Sequence, residues 1–257
     1  MAIAIFCALE CEARIFIETF KLKKTHQFAS CKFFSNDNYI VVVTGIGKKF
    51  SYLAMGLFHA TFTNFNGHLI NFGCAGHKTE EIGSLFSINQ VKNENDQKIF
   101  LNPTTKTISV KILKTVNSPT STYDEDYLVD MEGFYFLDAA TTFYNIDNLH
   151  IYKFISDNQF KPFSEIKKPE ILSMLQEKKS VLIDVFNRLP EIDHKNLDYF
   201  YDHAKSNWKI SETEFHQLKR LIERSLALSI SFLLDDFSSF EEFKKFINLQ
   251  ISNQFSV

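Results

Sequence analysis

The chain has 257 residues, enough to bury one large core or a core with a small appendage. Its net charge is −3, from 28 basic and 31 acidic side chains mixed along the sequence, which excludes the basic surface that a nucleic-acid partner requires. No apolar run reaches the roughly 20 residues of a membrane span, so a soluble, cytoplasmic protein is expected. Four cysteines at irregular spacings include no Cys-x-x-Cys pair, which favours reduced thiols over a metal site or a disulfide framework.

Short apolar runs alternate with helical patterns over the first 160 residues or so, which is typical of a mostly parallel sheet covered by helices. Strands are predicted at 2–7, 39–44, 69–72, 84–91, 107–116 and 149–156, and helices at 12–20, 48–62 and 126–144. Two glycine turns, Gly45-x-Gly47 and Gly73-x-x-Gly76, follow strands and allow tight turns with exposed backbone amides. The fold class predicted for this region is α/β.

The later part of the chain, from about residue 164 to 257, contains no predicted strand. Pro169 stands at the start of a helix predicted at 170–189. Two capping boxes predict the starts of further helices, one formed by Ser211 with Glu214 and the other by Ser239 with Glu242. We therefore predict a catalytic domain over 1–163 and a helical extension over 164–257 that packs on it, with a subunit interface as the alternative use of the extension.

Three stretches far apart in the chain each place a carboxylate at or just beyond the end of an apolar run: Glu12, Glu132 and Asp157. The carboxyl ends of strands are where α/β folds build their active sites. Because an unpaired buried acid costs several kcal/mol or becomes protonated, three such acids exceed what a stable core needs and indicate acid/base chemistry. The structural alternatives are a helix N-terminus that attracts Glu10 and Glu12, and a capping role for Asp157.

Five short motifs carry a resemblance to a known family. They are Ala8-Leu9-Glu10-Cys11-Glu12, Thr44-Gly45-Ile46-Gly47-Lys48, Gly73-Cys74-Ala75-Gly76, Val129-Asp130-Met131-Glu132 and Lys153-Phe154-Ile155-Ser156-Asp157. In order and approximate spacing they resemble the nucleoside phosphorylase and nucleosidase superfamily, most closely its methylthioadenosine/S-adenosylhomocysteine nucleosidase branch, over about residues 1–160. The resemblance implies a nucleoside phosphorylase-like fold, a mixed and mostly parallel sheet flanked by helices, which the helical extension follows.

The resemblance also implies a reaction, the hydrolysis of the N-glycosidic bond of S-adenosylhomocysteine, methylthioadenosine or a related 5′-substituted adenosine to adenine and the ribosyl product. Asp157 matches the general acid that protonates nitrogen 7 of the purine, and Glu12 matches the glutamate that activates water. Glu132 matches the carboxylate that accepts hydrogen bonds from the ribose hydroxyls. The other positions that match substrate-binding residues are Ala8, Ile46, Cys74, Met131, Lys153 and Ser156. The family expectation is a homodimer, and no cofactor is predicted.

Departures from the family pattern leave two alternatives open. Cys74 stands where a serine is usual, Lys153 replaces an arginine, and the chain between Gly76 and Glu132 is shorter than in the family. A phosphorylase needs cationic donors around phosphate, yet residues 45–76 contain no arginine, which favours water as the nucleophile. The alternatives are a phosphate-dependent purine nucleoside phosphorylase of the same fold and a nucleoside-binding protein without turnover.

Two groups of titratable residues are given no chemical role. His77, beside the second glycine turn, is interpreted as a solvated histidine, with contact to a ligand as the alternative. Acids and histidines later in the chain match no zinc pattern; they are Asp193, His194, Asp198, Asp202 and His203. No metal site is predicted.

Overall fold

The computed structural model describes residues 2–63, 65–103, 107–120, 122–123, 125–190, 201, 204–227, 230, 232 and 236–254. The chain divides into two compact units, Met1–Pro190 and Glu191–Val257. The first unit carries the α/β fold and contains all the predicted site residues. The boundary between the units lies at residue 190, later than the one predicted after residue 163, and the packing of the residues beyond 190 on the first unit stays a prediction.

The sheet of the first unit is mixed and has ten strands among the described residues. They are β1 (Ala2–Cys7), β2 (Lys23–Phe28), β3 (Cys31–Ser35), β4 (Tyr39–Val43), β5 (Gly67–His77), β6 (Leu85–Asn93), β7 (Lys98–Phe100), β8 (Ser109–Thr115), β9 (Leu128–Asp130) and β10 (Leu149–Asn158). In space they run β10-β6-β8-β9-β5-β1-β4-β3-β2, with β7 paired to β6 and a further pairing between β10 and β5. This further pairing joins β5, β9, β8, β6 and β10 into a closed ring.

The directions of the central strands bring three strand ends together. β5 lies between β1 and β10 and is parallel to both, so the carboxyl ends of all three meet at one edge. Of the ten described pairings, five are parallel and five are antiparallel. The predicted mixed sheet is confirmed, and its parallel pairings make up half of the total.

Helices cover both faces of this sheet. They are α1 (Glu10–Thr19), α2 (Lys48–Thr61), α3 (Gly133–Ala140) and α4 (Lys168–Asn187). Successive residues of β1 point to opposite faces, so Phe6 packs in a core with α2 and α3, whereas Ile5 packs in a core with α1 and α4. Phe16 of α1 stacks on Phe186 of α4 with ring centroids 5.6 Å apart. The helix predicted at 170–189 therefore belongs to the first unit.

The structure differs from two local predictions. The helix predicted at 126–144 begins as strand β9, because Leu128–Asp130 pairs with β8 and β5, and only Gly133–Ala140 is helical. The hairpin of β2 and β3 was not predicted, because all six residues of β2 are exposed and most are polar. A strand of this kind has no apolar alternation to mark it.

Helices α5 (Glu212–Ala227) and α6 (Phe240–Gln254) belong to the second unit. They share a core in which Ile222 and Phe243 are fully buried. The predicted box of Ser211 with Glu214 forms, since the Ser211 hydroxyl accepts from the Glu214 amide at 3.3 Å and the Ser211 amide donates to the Glu214 carboxylate at 2.7 Å. At the second helix the Ser239 hydroxyl accepts from the Glu242 amide at 3.4 Å, but the Glu242 carboxylate accepts from the amide of Ser238 instead of Ser239. Among the helices of the described residues, none combines the length and the apolar character needed to cross a membrane.

Candidate active site

A cavity opens where the carboxyl ends of β1, β5 and β10 meet. Its walls come from these strand ends, from the start of α1, and from the segments that precede α2 and α3. Eight of the nine predicted site residues line it: Ala8, Glu12, Ile46, Cys74, Met131, Glu132, Ser156 and Asp157. The structure thus gathers side chains that are far apart in the sequence at the edge of the sheet where a site was expected.

Glu12 is buried in the first turn of α1, and both of its carboxylate oxygens accept backbone hydrogen bonds. Oε2 accepts from the amide of Leu9 at 2.9 Å, and Oε1 accepts from the amide of Cys74 at 2.8 Å. Gly73 permits this approach, because a Cβ atom there would lie 2.9 Å from Oε1. Each oxygen has a second lone pair for a hydrogen bond from water. The carboxylate is therefore oriented by two elements, α1 and β5.

Glu132 lies just before α3 and reaches the first glycine turn. Its Oε1 accepts a hydrogen bond from the amide of Gly47 at 2.6 Å. Burial raises the pKa of Glu132 to about 7, the neighbouring Asp130 and Glu12 charges add to this, and Lys153 and the Gly47 amide oppose it. Near neutral pH, Glu132 is therefore present both as a carboxylate and as a carboxylic acid.

A buried ion pair lies next to Glu132. The Lys153 Nζ atom is 2.9 Å from Asp130 Oδ2, and both side chains are almost completely buried. Asp130 also accepts hydrogen bonds from Thr115 Oγ1 at 2.6 Å and from the Gly133 amide at 2.8 Å. Burial lowers the pKa of Lys153, but the surrounding carboxylates raise it by more than burial lowers it. The pKa of Lys153 therefore lies above its ordinary value.

Lys153 is the ninth predicted site residue, and it is not among the described residues that line the cavity. Its ammonium group is already engaged by Asp130. The position of Lys153 favours an electrostatic role, in which one buried cation offsets the negative charges of the site, over direct contact with a substrate.

Both oxygens of the Asp157 carboxylate accept a hydrogen bond from a hydroxyl group. Ser156 Oγ donates to Oδ1 at 2.5 Å, and Tyr123 Oη donates to Oδ2. Asp157 and Tyr123 are buried, and both line the cavity. Burial and the nearby Asp157 carboxylate raise the pKa of the Tyr123 hydroxyl. Tyr123 was not among the predicted residues, because it lies in a polar segment with no apolar periodicity.

The remainder of the cavity wall is mostly apolar, and its residues were not among the predicted site residues. The additional lining residues are Leu9, Ala75, Gly76, Val116, Pro119, Thr120, Val129, Asp130 and Phe163. Ile46 and Phe163 are 49% and 46% exposed, so the rim of the cavity presents apolar surface to solvent. Burial, followed by the charge of Glu12, raises the pKa of Cys74 well above its ordinary value, and this residue is a neutral thiol.

The cavity is acidic. Four carboxylic acids line it: Glu12, Asp130, Glu132 and Asp157. None of the described residues in its wall is a lysine, an arginine or a histidine. Arg14, close to Glu12 in the sequence, instead pairs with Glu18 at 3.7 Å on the exposed side of α1. An anion entering the cavity would meet carboxylates and no opposite charge on its wall.

His77 is buried, whereas the sequence suggested a solvated side chain. Its Nδ1 accepts from the amides of Thr79 and Glu80 at 3.1 and 3.0 Å, so Nε2 carries the proton and donates to Asp126 Oδ1 at 2.9 Å. His77, Glu80 and Asp126 are close enough to hold a cation. Lys111 Nζ already lies 2.9 Å from Glu80 and 3.2 Å from Asp126. Asp193, His194, Asp198, Asp202 and His203 lie outside the described residues.

Comparison with known proteins finds matches in structure and none in sequence families. No protein-family model and no curated protein matches the chain. The 5′-methylthioadenosine/S-adenosylhomocysteine (MTA/SAH) nucleosidase of Colwellia psychrerythraea, in complex with adenine, matches with a TM-score of 0.60 at 17% identity, over 74% of this chain and 96% of that one. The Helicobacter pylori nucleosidase with butyl-thio-DADMe-Immucillin-A gives 0.61 at 15% identity, over 74% and 99%. A futalosine hydrolase mutant of Helicobacter pylori strain 26695 gives 0.59 at 14% identity, over 74% and 100%.

These matches each cover 74% of the chain, and the first compact unit holds 190 of the 257 residues, which is the same share. At identities of 14% to 17% they establish the fold. The mixed sheet with helices on both faces agrees with them. The chain therefore has the fold that these MTA/SAH nucleosidases and the futalosine hydrolase share.

Proposed function

We propose that this protein is a purine nucleosidase that hydrolyses the N-glycosidic bond of S-adenosylhomocysteine, methylthioadenosine or a related 5′-substituted adenosine. The observation that carries the proposal is the convergence of Glu12, Glu132 and Asp157 on one cavity. Three carboxylates in different hydrogen-bonding environments can divide the work of an acid, a base and a sugar ligand. The structural neighbours, which include MTA/SAH nucleosidases and a futalosine hydrolase, support the same reaction class.

Asp157 is the proposed general acid. Cleavage of the N-glycosidic bond leaves an oxocarbenium-like sugar and gives the bonding electron pair to the purine, so a proton on nitrogen 7 lowers the barrier. The Asp157 carboxyl passes its proton to that nitrogen and becomes a carboxylate. The Ser156 hydroxyl, which donates to Oδ1 at 2.5 Å, then stabilises the negative charge.

Glu12 is the proposed general base. It accepts one proton from a water molecule while the water oxygen forms a bond to the anomeric carbon of the sugar. The amides of Leu9 and Cys74, at 2.9 and 2.8 Å, hold the carboxylate in one orientation for this step. A base that is already oriented loses little entropy at the moment of reaction.

Glu132 is proposed to bind the ribose, with Met131 packed on the sugar and with Ala8, Cys74 and Ser156 on the surrounding wall. A carboxylate oxygen can accept hydrogen bonds from both sugar hydroxyls, whereas a protonated carboxyl group has less accepting capacity. Since the pKa of Glu132 is raised to about 7, substrate binding is expected to weaken as the pH falls below that value.

Water is a better candidate for the nucleophile than phosphate. A phosphorylase would need cationic donors, and the described residues of the cavity wall include four acids and no basic side chain. The same wall repels a phosphate dianion. The phosphate-dependent phosphorylase of this fold is therefore the second candidate.

The apolar rim supports a 5′-substituted substrate. Ile46 and Phe163 are about half exposed, and they border the cavity together with Met131. A thioether substituent such as methylthio or homocysteinyl would cover this surface and remove apolar area from water.

The test is a panel of nucleosides incubated with the purified protein, with and without phosphate, followed by chromatography of the released base. We expect adenine from methylthioadenosine or S-adenosylhomocysteine at a rate that does not depend on phosphate, and slower release from adenosine, which has no 5′ substituent. Phosphate-dependent release would establish the phosphorylase instead. Binding of a nucleoside with no release of base would identify a binding protein and overturn the enzyme proposal.

We also propose that the protein is a cytoplasmic homodimer. The four free cysteines suit a reducing compartment, and the exposed Ile46 and Phe163 offer apolar surface that a neighbouring subunit could cover at the 5′ side. Sedimentation equilibrium should give twice the chain mass of 29.9 kDa. A mass of one chain at micromolar concentration would contradict the dimer.

A further inference from the structure

Tyr123 contacts the proposed acid from outside the family-like motifs. Its hydroxyl donates to Asp157 Oδ2 while the Ser156 hydroxyl donates to Oδ1, so two hydroxyl groups orient the carboxyl group. Tyr123 is 8% exposed and forms part of the cavity wall. Gly76 lies against the pair, and a Cβ atom at that position would clash with both the hydroxyl and the carboxylate. The close approach of Tyr123 to Asp157 therefore requires glycine at position 76.

The segment that carries Tyr123 also contacts neighbouring strands through Asp126, three residues further along the chain. Asp126 accepts a hydrogen bond from His77 Nε2 at 2.9 Å, and Lys111 Nζ lies 3.2 Å from the same carboxylate. His77 belongs to β5, the strand that contains Gly76. The His77 contact anchors the tyrosine segment to β5, the strand beside which Asp157 lies, and the Lys111 contact anchors it to β8.

We propose that Tyr123 is a positioning residue for the general acid: its hydroxyl orients the Asp157 carboxyl group and stabilises the carboxylate that remains after the proton has passed to the purine. This inference rests on the proposed nucleosidase function. In the step, the O–H bond of Asp157 breaks as the N–H bond at nitrogen 7 forms, and the negative charge ends on Asp157. The Tyr123 O–H bond stays intact, and its hydrogen bond strengthens as the charge develops.

Replacement of Tyr123 by phenylalanine keeps the ring and removes the hydrogen bond. Without this donor the carboxylate is less favoured, so the protonated acid persists to higher pH and is a weaker proton donor. We expect the plateau of kcat/KM to fall about tenfold and its alkaline limb to move up by about one pH unit, the effect of one hydrogen bond to a charged group. A structural role alone would lower kcat/KM by the same factor at every pH.

The experiment compares the pH profile of kcat/KM for the wild type, Tyr123→Phe and the control Tyr144→Phe. The Tyr144 hydroxyl contacts His59 at 3.2 Å and is outside the cavity wall, so its removal should leave the alkaline limb unchanged. A second measurement follows the carboxyl signal of Asp157 by NMR with carbon-13-labelled aspartate, assigned with Asp157→Asn. That signal should change at higher pH in Tyr123→Phe than in the wild type, whether or not the protein turns over a nucleoside.

The two measurements separate the two proposals. If no nucleoside is hydrolysed but the Asp157 signal moves, the nucleosidase function fails and the effect of Tyr123 on the acid stands. If nucleosides are hydrolysed and neither the alkaline limb nor the Asp157 signal moves, the nucleosidase function stands and the role of Tyr123 is overturned. If there is no hydrolysis and no movement of the signal, both proposals fail.

Discussion

Replacement of Asp157 by asparagine is expected to lower kcat/KM for release of adenine by at least about 100-fold, since positioned acids contribute about 10²–10⁴-fold each. Asparagine has the same shape but no proton to give to the leaving purine. The hydroxyls of Ser156 and Tyr123 can each accept as well as donate, so an amide can be accommodated between them. The fold should therefore remain intact, which circular dichroism and the melting temperature would check.

The corresponding change at Glu12 is expected to reduce activity to a similar extent with a measurable loss of stability. In Glu12→Gln the amide nitrogen would face the backbone N–H of Leu9 or Cys74, and two opposed donors cost roughly 1–3 kcal/mol. Glu10→Gln is the matched control, because Glu10 is exposed and its carboxylate contacts Lys32 at 2.7 Å. Activity of Asp157→Asn and Glu12→Gln within about fivefold of the wild type would rule out the acid and base roles.

The parts of the site that could be predicted are those whose position follows from the ends of apolar runs. Glu12 and Asp157 come at or just after buried strands, and parallel strands on both sides of β5 necessarily bring such residues to one edge. The glycine turn at Gly47 was also predictable. Its backbone has a positive φ of 89°, a conformation that favours glycine and directs the amide to Glu132.

The parts that could not be predicted depend on pairings between distant segments. Lys153 sits in an apolar strand, and only the fold shows that its partner is Asp130 and that neither charge is left unpaired. Tyr123 lies in a polar segment whose position depends on the contact between Asp126 and His77. The sequence pattern at 126–144 indicates a helix, so strand β9 was not predicted there. Pairing with β8 and β5 overrides the local helix preference of these residues.

The charged form of Glu132, which the proposed ribose contact needs, is expected to destabilise the folded protein, and this destabilisation should depend on pH. An acid whose pKa is raised from 4.5 to about 7 by folding binds more protons in the folded state than in the unfolded state between these values. The contribution of Glu132 to the free energy of unfolding is therefore greatest below about pH 4.5 and falls as the pH rises through 7. The loss, complete above about pH 8, is on the order of 3 kcal/mol at about 1.4 kcal/mol per pKa unit.

Glu132→Gln removes the charge that burial disfavours while it keeps an oxygen that can accept from the Gly47 amide. We expect the variant to gain up to about 3 kcal/mol over the wild type at pH 8 and less than about 1 kcal/mol near pH 5. Urea unfolding at the two pH values measures this, with the exposed Glu18→Gln as control. The same variant should lose at least about 100-fold in kcat/KM, because two hydrogen bonds from sugar hydroxyls to a charged acceptor become bonds to a neutral one. A stability difference that is equal at both pH values would show that Glu132 does not carry the buried charge, whereas full activity would remove it from the ribose site.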